Sequence, residues 1–167
     1  MQSKFLVTAA TAAIALLGAG CGSTAPSTAA VSPTPSAAAS PVPSVPTTAA
    51  TIKVATDAAL GKILVDGNGM TVYLFVADTG TASTCYTSCA TIWPPVLTTG
   101  APKPGAGAQA SLLGTTARTD GTTEVTYAGH PLYYFIKDKK PGDTTGQGVN
   151  GFGALWWVLA PSGAAMH

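Results

Sequence analysis

The chain predicts a mainly β protein in which two tandem, related antiparallel β units form one small domain, preceded by a signal peptide and a disordered linker. Three observations carry this reading. The segment Tyr73-Leu74-Phe75-Val76-Ala77-Asp78 returns sixty positions later as Tyr133-Tyr134-Phe135-Ile136-Lys137-Asp138, so that Tyr-x-Phe-x-x-Asp occurs twice. Runs of β-prone residues alternate with Gly-rich turns from Lys62 onward, and helix signals are few. The residues before Thr51 contain no aromatic after Phe5 and cannot contribute much to a core.

At the N-terminus, Met1-Gln2-Ser3-Lys4 carries one positive charge and Phe5 to Leu17 carry none, which is the layout of a signal peptide. The uncharged stretch ends at Gly20 and falls short of the roughly 20 apolar residues that a spanning helix needs. Residues 1–20 therefore read as a processing segment. The run Leu17-Gly18-Ala19-Gly20-Cys21 resembles a lipobox, where the cysteine receives a thioether-linked diacylglycerol before the peptide ahead of it is removed. The resemblance implies acylation at Cys21, the lipid bilayer as a partner and a place on the extracytoplasmic face of the cell membrane. Two or three acyl chains, at about 0.8 kcal/mol per buried methylene, hold a protein there stably.

Residues 21–50 comprise that cysteine and a linker of Ser, Thr, Ala, Pro, Gly and Val without a charged residue. Such a segment spans about 30 Å as a coil and up to ~90 Å in polyproline II, so it acts as a spacer. Residues 51–167 are a single-domain length, with unit one at about 55–100 and unit two at about 115–163. Eleven of the twelve aromatic residues lie between Tyr73 and Trp157 and supply its core. Beyond Lys4, seven basic residues face seven acidic ones. With no basic field to displace counterions, nucleic acid is not expected as a partner. The cluster Lys137, Lys139 and Lys140 reads as a solvated turn.

Within the domain, Lys62 to Val65, the turn Asp66-Gly67-Asn68-Gly69 and Met70 to Val76 read as a hairpin. Thr122 to Tyr127, the turn at Ala128-Gly129-His130-Pro131 and Leu132 to Ile136 repeat the pattern, and Leu155 to Leu159 form a last strand. Short helical turns are expected around Cys85 to Ile92 and Ala108 to Leu113. Because residues two apart share a face of a strand, Tyr73 with Phe75, and Tyr133 with Phe135, each place an aromatic pair on one side. Asp78 and Asp138 fall at the strand ends, where a carboxylate accepts from backbone N–H groups of the next turn. All six motif residues are accordingly read as structural. One such unit cannot bury enough apolar surface alone, so two are expected to close a shared core.

Together with Cys85-Tyr86-Thr87-Ser88-Cys89, Trp93-Pro94-Pro95, Pro141-Gly142-Asp143 and Gly146-Gln147-Gly148, the doubled motif resembles that of bacterial secreted-repeat lipoproteins. The resemblance covers roughly Ala55 to Gly163. It implies an exported location and a repeat architecture, and no reaction.

With Cys21 acylated, Cys85 and Cys89 form an even pair in an oxidising compartment, and a disulfide is expected. In an extended strand their Cα atoms would be about 13 Å apart, so a turn must bring them to about 6 Å. The spacing is not Cys-x-x-Cys-His, which excludes covalent haem. Zinc would want a fourth ligand beyond Cys85, Cys89 and His130, leaving copper on that trio as a minority reading. No catalytic motif occurs. No cofactor is therefore expected. The aromatics Tyr86, Trp93, Tyr127, Tyr134, Trp156 and Trp157 also admit a platform for cell-wall glycan, with one of the adjacent tryptophans inward and one outward. The sequence thus points to a non-enzymatic, membrane-tethered binding or envelope-structural module. The alternative is an extracytoplasmic thiol-redox or copper-handling protein using Cys85, Cys89 and His130. A buried disulfide favours the first; an open thiol pair facing the histidine favours the second.

Overall fold

The computed structural model describes residues 46–167. The expected signal peptide, the expected acylation site Cys21 and the expected linker up to residue 45 lie outside the described residues. Nine strands and two short helical turns follow one another: β1 (Thr51–Asp57), β2 (Gly61–Asp66), β3 (Tyr73–Phe75), α1 (Ser88–Ile92), β4 (Lys103–Pro104), a 3-10 turn (Ala110–Leu112), β5 (Leu113–Ala117), β6 (Thr123–Tyr127), β7 (His130–Pro131), β8 (Asn150–Gly151) and β9 (Ala154–Val158). They make three sheets, ordered β2-β1-β4, β3-β9-β8 and β5-β6-β7. The mainly β expectation holds, and among the described residues helix is confined to the two places where the sequence signalled it.

Strand β1 precedes the first strand expected from the sequence. It pairs antiparallel with β2 from Ile52↔Asp66 to Asp57↔Gly61. Its period of two is plain in the structure, since Ile52 is fully buried and Val54 packs on the same cluster. Bonding begins one residue earlier, where the Ala50 carbonyl accepts from the Lys103 N–H at 2.8 Å.

Both expected hairpins form, but only locally. After β2 the chain turns through Gly69, at φ +90°, and Asp66 N–H reaches the Met70 carbonyl at 2.8 Å. In unit two the turn runs through Gly129, at φ +84°, and brings Pro131 opposite Thr126. Positive φ is open to glycine at little cost, which is why both turns carry one. Beyond each turn the motif strand leaves its own hairpin. Strand β3 pairs with β9 of unit two, Tyr73 opposite Val158 and Phe75 opposite Trp156. The equivalent stretch of unit two pairs with unit one: Tyr134 N–H donates to the Pro94 carbonyl at 2.8 Å and Ile136 N–H to the Ile92 carbonyl at 3.0 Å. The two motif strands also meet each other, with Tyr73 N–H to the Tyr133 carbonyl at 2.8 Å and Tyr133 N–H to the Tyr73 carbonyl at 2.9 Å.

The units are therefore interlocked by exchange around an approximate twofold axis through Tyr73 and Tyr133. The same relation recurs further out. Leu64 N–H donates to the Leu159 carbonyl at 2.9 Å, and Val125 N–H to the Val96 carbonyl at 2.8 Å. Two apolar clusters fill the interior. One gathers Ile63, Val65, Tyr73, Phe75, the two cysteines, Trp93, Tyr133, Phe135, Trp156 and Val158. The other holds Ile52, Leu64, Val72, Leu74, Val96, Val125, Tyr127, Leu132 and Leu159. Leu74 lies in the second while Tyr73 and Phe75 lie in the first, as strand alternation requires.

Candidate functional site

The motif residues converge where the units cross. Four rings stack in series: Phe75 on Trp156 at 4.0 Å between centroids, Trp156 on Trp93 at 4.0 Å, and Trp93 on Phe135 at 4.2 Å. The tyrosines close the stack edge-on, Tyr73 against Trp93 at 5.4 Å and Tyr133 against Trp156 at 5.1 Å. Such offset and edge-to-face contacts add stabilisation beyond area burial, of about 0.5–1.5 kcal/mol per pair. The tryptophans belong to α1's exit and to β9, so the stack exists only once both units are folded.

Each tyrosine of the motif bonds to the aspartate of the other copy. Tyr73 Oη donates to Asp138 Oδ2 at 2.6 Å, and Tyr133 Oη donates to Asp78 Oδ2 at 2.6 Å. The second oxygen of each carboxylate serves its own unit. Asp78 Oδ1 accepts from Thr84 N–H at 2.8 Å and from its hydroxyl at 2.6 Å. Asp138 Oδ1 accepts from Thr145 N–H at 3.0 Å and from its hydroxyl at 2.5 Å. The expected turn bonds are thus present, and the cross-unit bond is added to them. Both aspartates are buried, at 4% and 7% exposure. Burial and these carboxylates hold the hydroxyls of Tyr73 and Tyr133 protonated well above the ordinary tyrosine range. Gly146 is needed beside Tyr73: its N–H donates to Tyr73 Oη at 3.2 Å, and a Cβ there would meet the Trp93 and Tyr73 rings at 2.9 Å.

The symmetry is broken at one place that the sequence did not reveal. Glu124 is fully buried and bonded through Oε2 to Arg118 Nη1 at 2.6 Å. Arg118 also donates to Ser83 Oγ at 2.7 Å, to the Cys85 carbonyl at 2.8 Å and to Asp120, and lies 4.4 Å over the Tyr86 ring. Since the one proton of Tyr133 goes to Asp78, the Ser83 hydroxyl donates to Tyr133 Oη at 2.7 Å. A chain of donors runs from Arg118 through Ser83 and Tyr133 to Asp78. Glu124 Oε1 has no partner, and burial pushes this carboxyl up to about 8 against the pull of Arg118. In unit one the matching strand position, one residue before Leu64, is the apolar Ile63. The only sequence signal was a glutamate inside a β-prone run.

Cys85 and Cys89 are joined in a disulfide, with Cα atoms 5.2 Å apart. The chain turns between them through Tyr86 and Thr87, where the Cys89 N–H donates to the Tyr86 carbonyl at 3.0 Å, and enters α1 at Ser88; Cys85 is fully buried and Cys89 is 7% exposed. Trp93 N–H caps the helix on the Cys89 carbonyl at 2.7 Å, so the clip fixes the approach of Trp93 to the stack. His130 sits in β7 opposite Tyr127. Among the described residues no group of three or more His, Cys, Asp or Glu is placed to hold a metal. Of the six aromatics named for a platform, Trp93, Tyr127 and Trp156 are buried. Trp157 is half-buried, packed on the second cluster and against His167 at 4.7 Å.

Comparison with protein families gives a match at residues 54–97 and again at 114–160, to a family described as a secreted repeat of unknown function. The chain belongs to this family. The two matched segments are the two interlocked units, and together they cover more than half of the 167 residues. No curated protein and no solved structure matches the chain significantly. The family places the protein outside the cytoplasm. No helix among the described residues is long and apolar enough to cross a membrane.

Proposed function

We propose that this secreted repeat is a lipoprotein anchored through acylated Cys21 on the extracytoplasmic face of the cell membrane. Its domain acts there as a non-enzymatic binding or envelope-structural module. The observation that carries the second half is the reciprocal bonding of the motif. The motif carboxylates Asp78 and Asp138 each have both oxygens engaged, one across the units and one in their own turn, and each motif tyrosine is spent on the cross-unit bond. The burial of the disulfide supports a clip over a redox pair, which must offer a sulfur to its partner. Partners are envelope components, cell-wall glycan or another protein, met on the accessible edges of the half-buried Tyr86, Tyr134 and Trp157 or on neighbouring surface.

The anchor is tested by changing Cys21→Ser and fractionating cells. After a high-salt wash the variant is expected in the soluble fraction with its N-terminus lacking acyl mass, whereas wild type stays with membranes. Salt-resistant membrane retention of a processed, acyl-free variant overturns the anchor. The module reading is tested by retaining envelope components on the purified chain, with glycan and protein fractions applied separately.

A further inference from the structure

Among the described residues, four of the five large apolar side chains left in solvent fall at equivalent places in the two units, the fifth being Phe152. Val76 and Leu155, 49% and 37% exposed, meet at one end of the interlocked strands, where Val76 N–H bonds to the Leu155 carbonyl. Ile136 and Ile92, 42% and 36% exposed, meet in the same way at the other. The ends differ in charge. Val76 is followed by Ala77, Asp78, Thr79 and Gly80, and Ile136 by Lys137, Asp138, Lys139 and Lys140.

The three lysines are exposed, and the acidic groups near them are engaged by other donors. Asp138 is committed to Tyr73 and Thr145. Asp143 accepts through Oδ2 from the backbone N–H groups of Lys139 and Lys140, at 2.9 and 3.1 Å. Among the described residues the only ion pairs are those of Arg118. The Lys139 ammonium donates to the Ile136 carbonyl and the Lys137 ammonium lies 6.0 Å from the Phe135 ring centre, so none of the three charges is neutralised by a carboxylate. An exposed isoleucine pair beside them is amphipathic in the sense that suits a bilayer surface: apolar tips enter the headgroup boundary while the ammonium charges meet diffuse negative charge.

We propose that this end of the domain, formed by Ile92, Ile136, Lys137, Lys139 and Lys140, docks on anionic lipid headgroups. The inference rests on the anchored reading above, because a tethered domain meets the bilayer at high effective concentration and a weak second contact then suffices. The contact would hold the domain down on the membrane, leaving the Val76 and Leu155 end for other partners.

The test uses the chain from residue 21 with Cys21→Ser, so that no acyl group contributes. It is sedimented with phosphatidylcholine vesicles and with vesicles that also contain phosphatidylglycerol. Binding is expected to the second only, and to fall as salt rises. Combining Lys137→Ala, Lys139→Ala and Lys140→Ala should weaken it by about two orders of magnitude, at roughly fivefold for each lysine. Ile136→Ser should weaken it and Val76→Ser should leave it unchanged. Equal retention by both vesicles, no binding, or binding that survives the triple change overturns the proposal, as does equal loss from Val76→Ser. Acyl mass at the mature N-terminus is read independently, so failure here is distinct from failure of the anchor.

Discussion

Tyr73 and Tyr133 each end on a carboxylate from the other copy of the motif, and the strength of that bond can be measured by deleting one oxygen. Tyr73→Phe leaves Asp138 with a buried oxygen short of its partner and is expected to cost about 1–3 kcal/mol. Tyr133→Phe should cost at least as much, because Ser83 loses its acceptor as well. Urea unfolding of the two variants checks this, and wild-type midpoints would mean that the hydroxyls contribute no net stability. Glu124 gives a pH signature. Its folded value of about 8 lies above the ordinary 4.5, so between these the folded chain keeps a proton that the unfolded chain has lost. The stabilising contribution is full below about 4.5 and is lost as pH rises through about 8. Measured as the gap between wild type and Glu124→Gln, the unfolding midpoint of wild type should fall progressively from pH 5 to 8. A gap that stays constant would show that Arg118 keeps Glu124 ionised throughout.

Helix α1 spans only five residues and has no side-chain cap at its start. An isolated turn of that length is not stable in water, so the covalent clip and the packing of Trp93 must hold it. A loop closed over so few residues restricts the unfolded chain little, and chain entropy gives about 2 kcal/mol. Reduction, or Cys85→Ala with Cys89→Ala, is therefore expected to lower global stability by about that amount. The local effect should be larger: amide exchange is expected to quicken first across Ser88 to Trp93. Uniform acceleration over all strands would show that the disulfide acts on the unfolded state alone. The strands β3 and β9 show the same dependence on partners. Strand β3 is three residues long and owes its place to β9 and Tyr133 rather than to its own hairpin.

For the whole molecule, exchange of strands makes the two units one cooperative body. Cutting the chain between β4 and the 3-10 turn would give segments 46–105 and 106–167, each with a motif strand whose main partner is on the other segment. Neither is expected to unfold cooperatively alone at low concentration, whereas an equimolar mixture should regain sheet circular dichroism and the buried-tryptophan fluorescence of the stack. Cooperative unfolding of 46–105 by itself would show that the units are autonomous repeats placed side by side. The four-ring stack explains why they should not be: Phe75 and Trp93 from unit one alternate with Trp156 and Phe135 from unit two in contact order, so half the stack buries nothing.

Local pattern determined a good deal. Runs of β-prone residues placed β2, β6 and β9, the glycines marked the turns at Gly69 and Gly129, and the recurrence of Tyr-x-Phe-x-x-Asp announced two units with a common core. The spacing of Cys85 and Cys89 anticipated both the disulfide and the helical turn that permits it. These features depend on neighbours within a few residues, or on simple repetition, and a sequence displays both. Which strand each motif pairs with was not displayed. A strand's edge carries the same N–H and C=O groups whatever its partner, so pairing within a unit and exchange between units read alike. Only the tertiary structure decided that Tyr73 answers to Asp138 and Tyr133 to Asp78, 65 and 55 positions away. It decided likewise that Glu124 is buried against Arg118, because the cost of hiding a carboxyl is set by what closes over it, and the groups that do so come from distant parts of the chain.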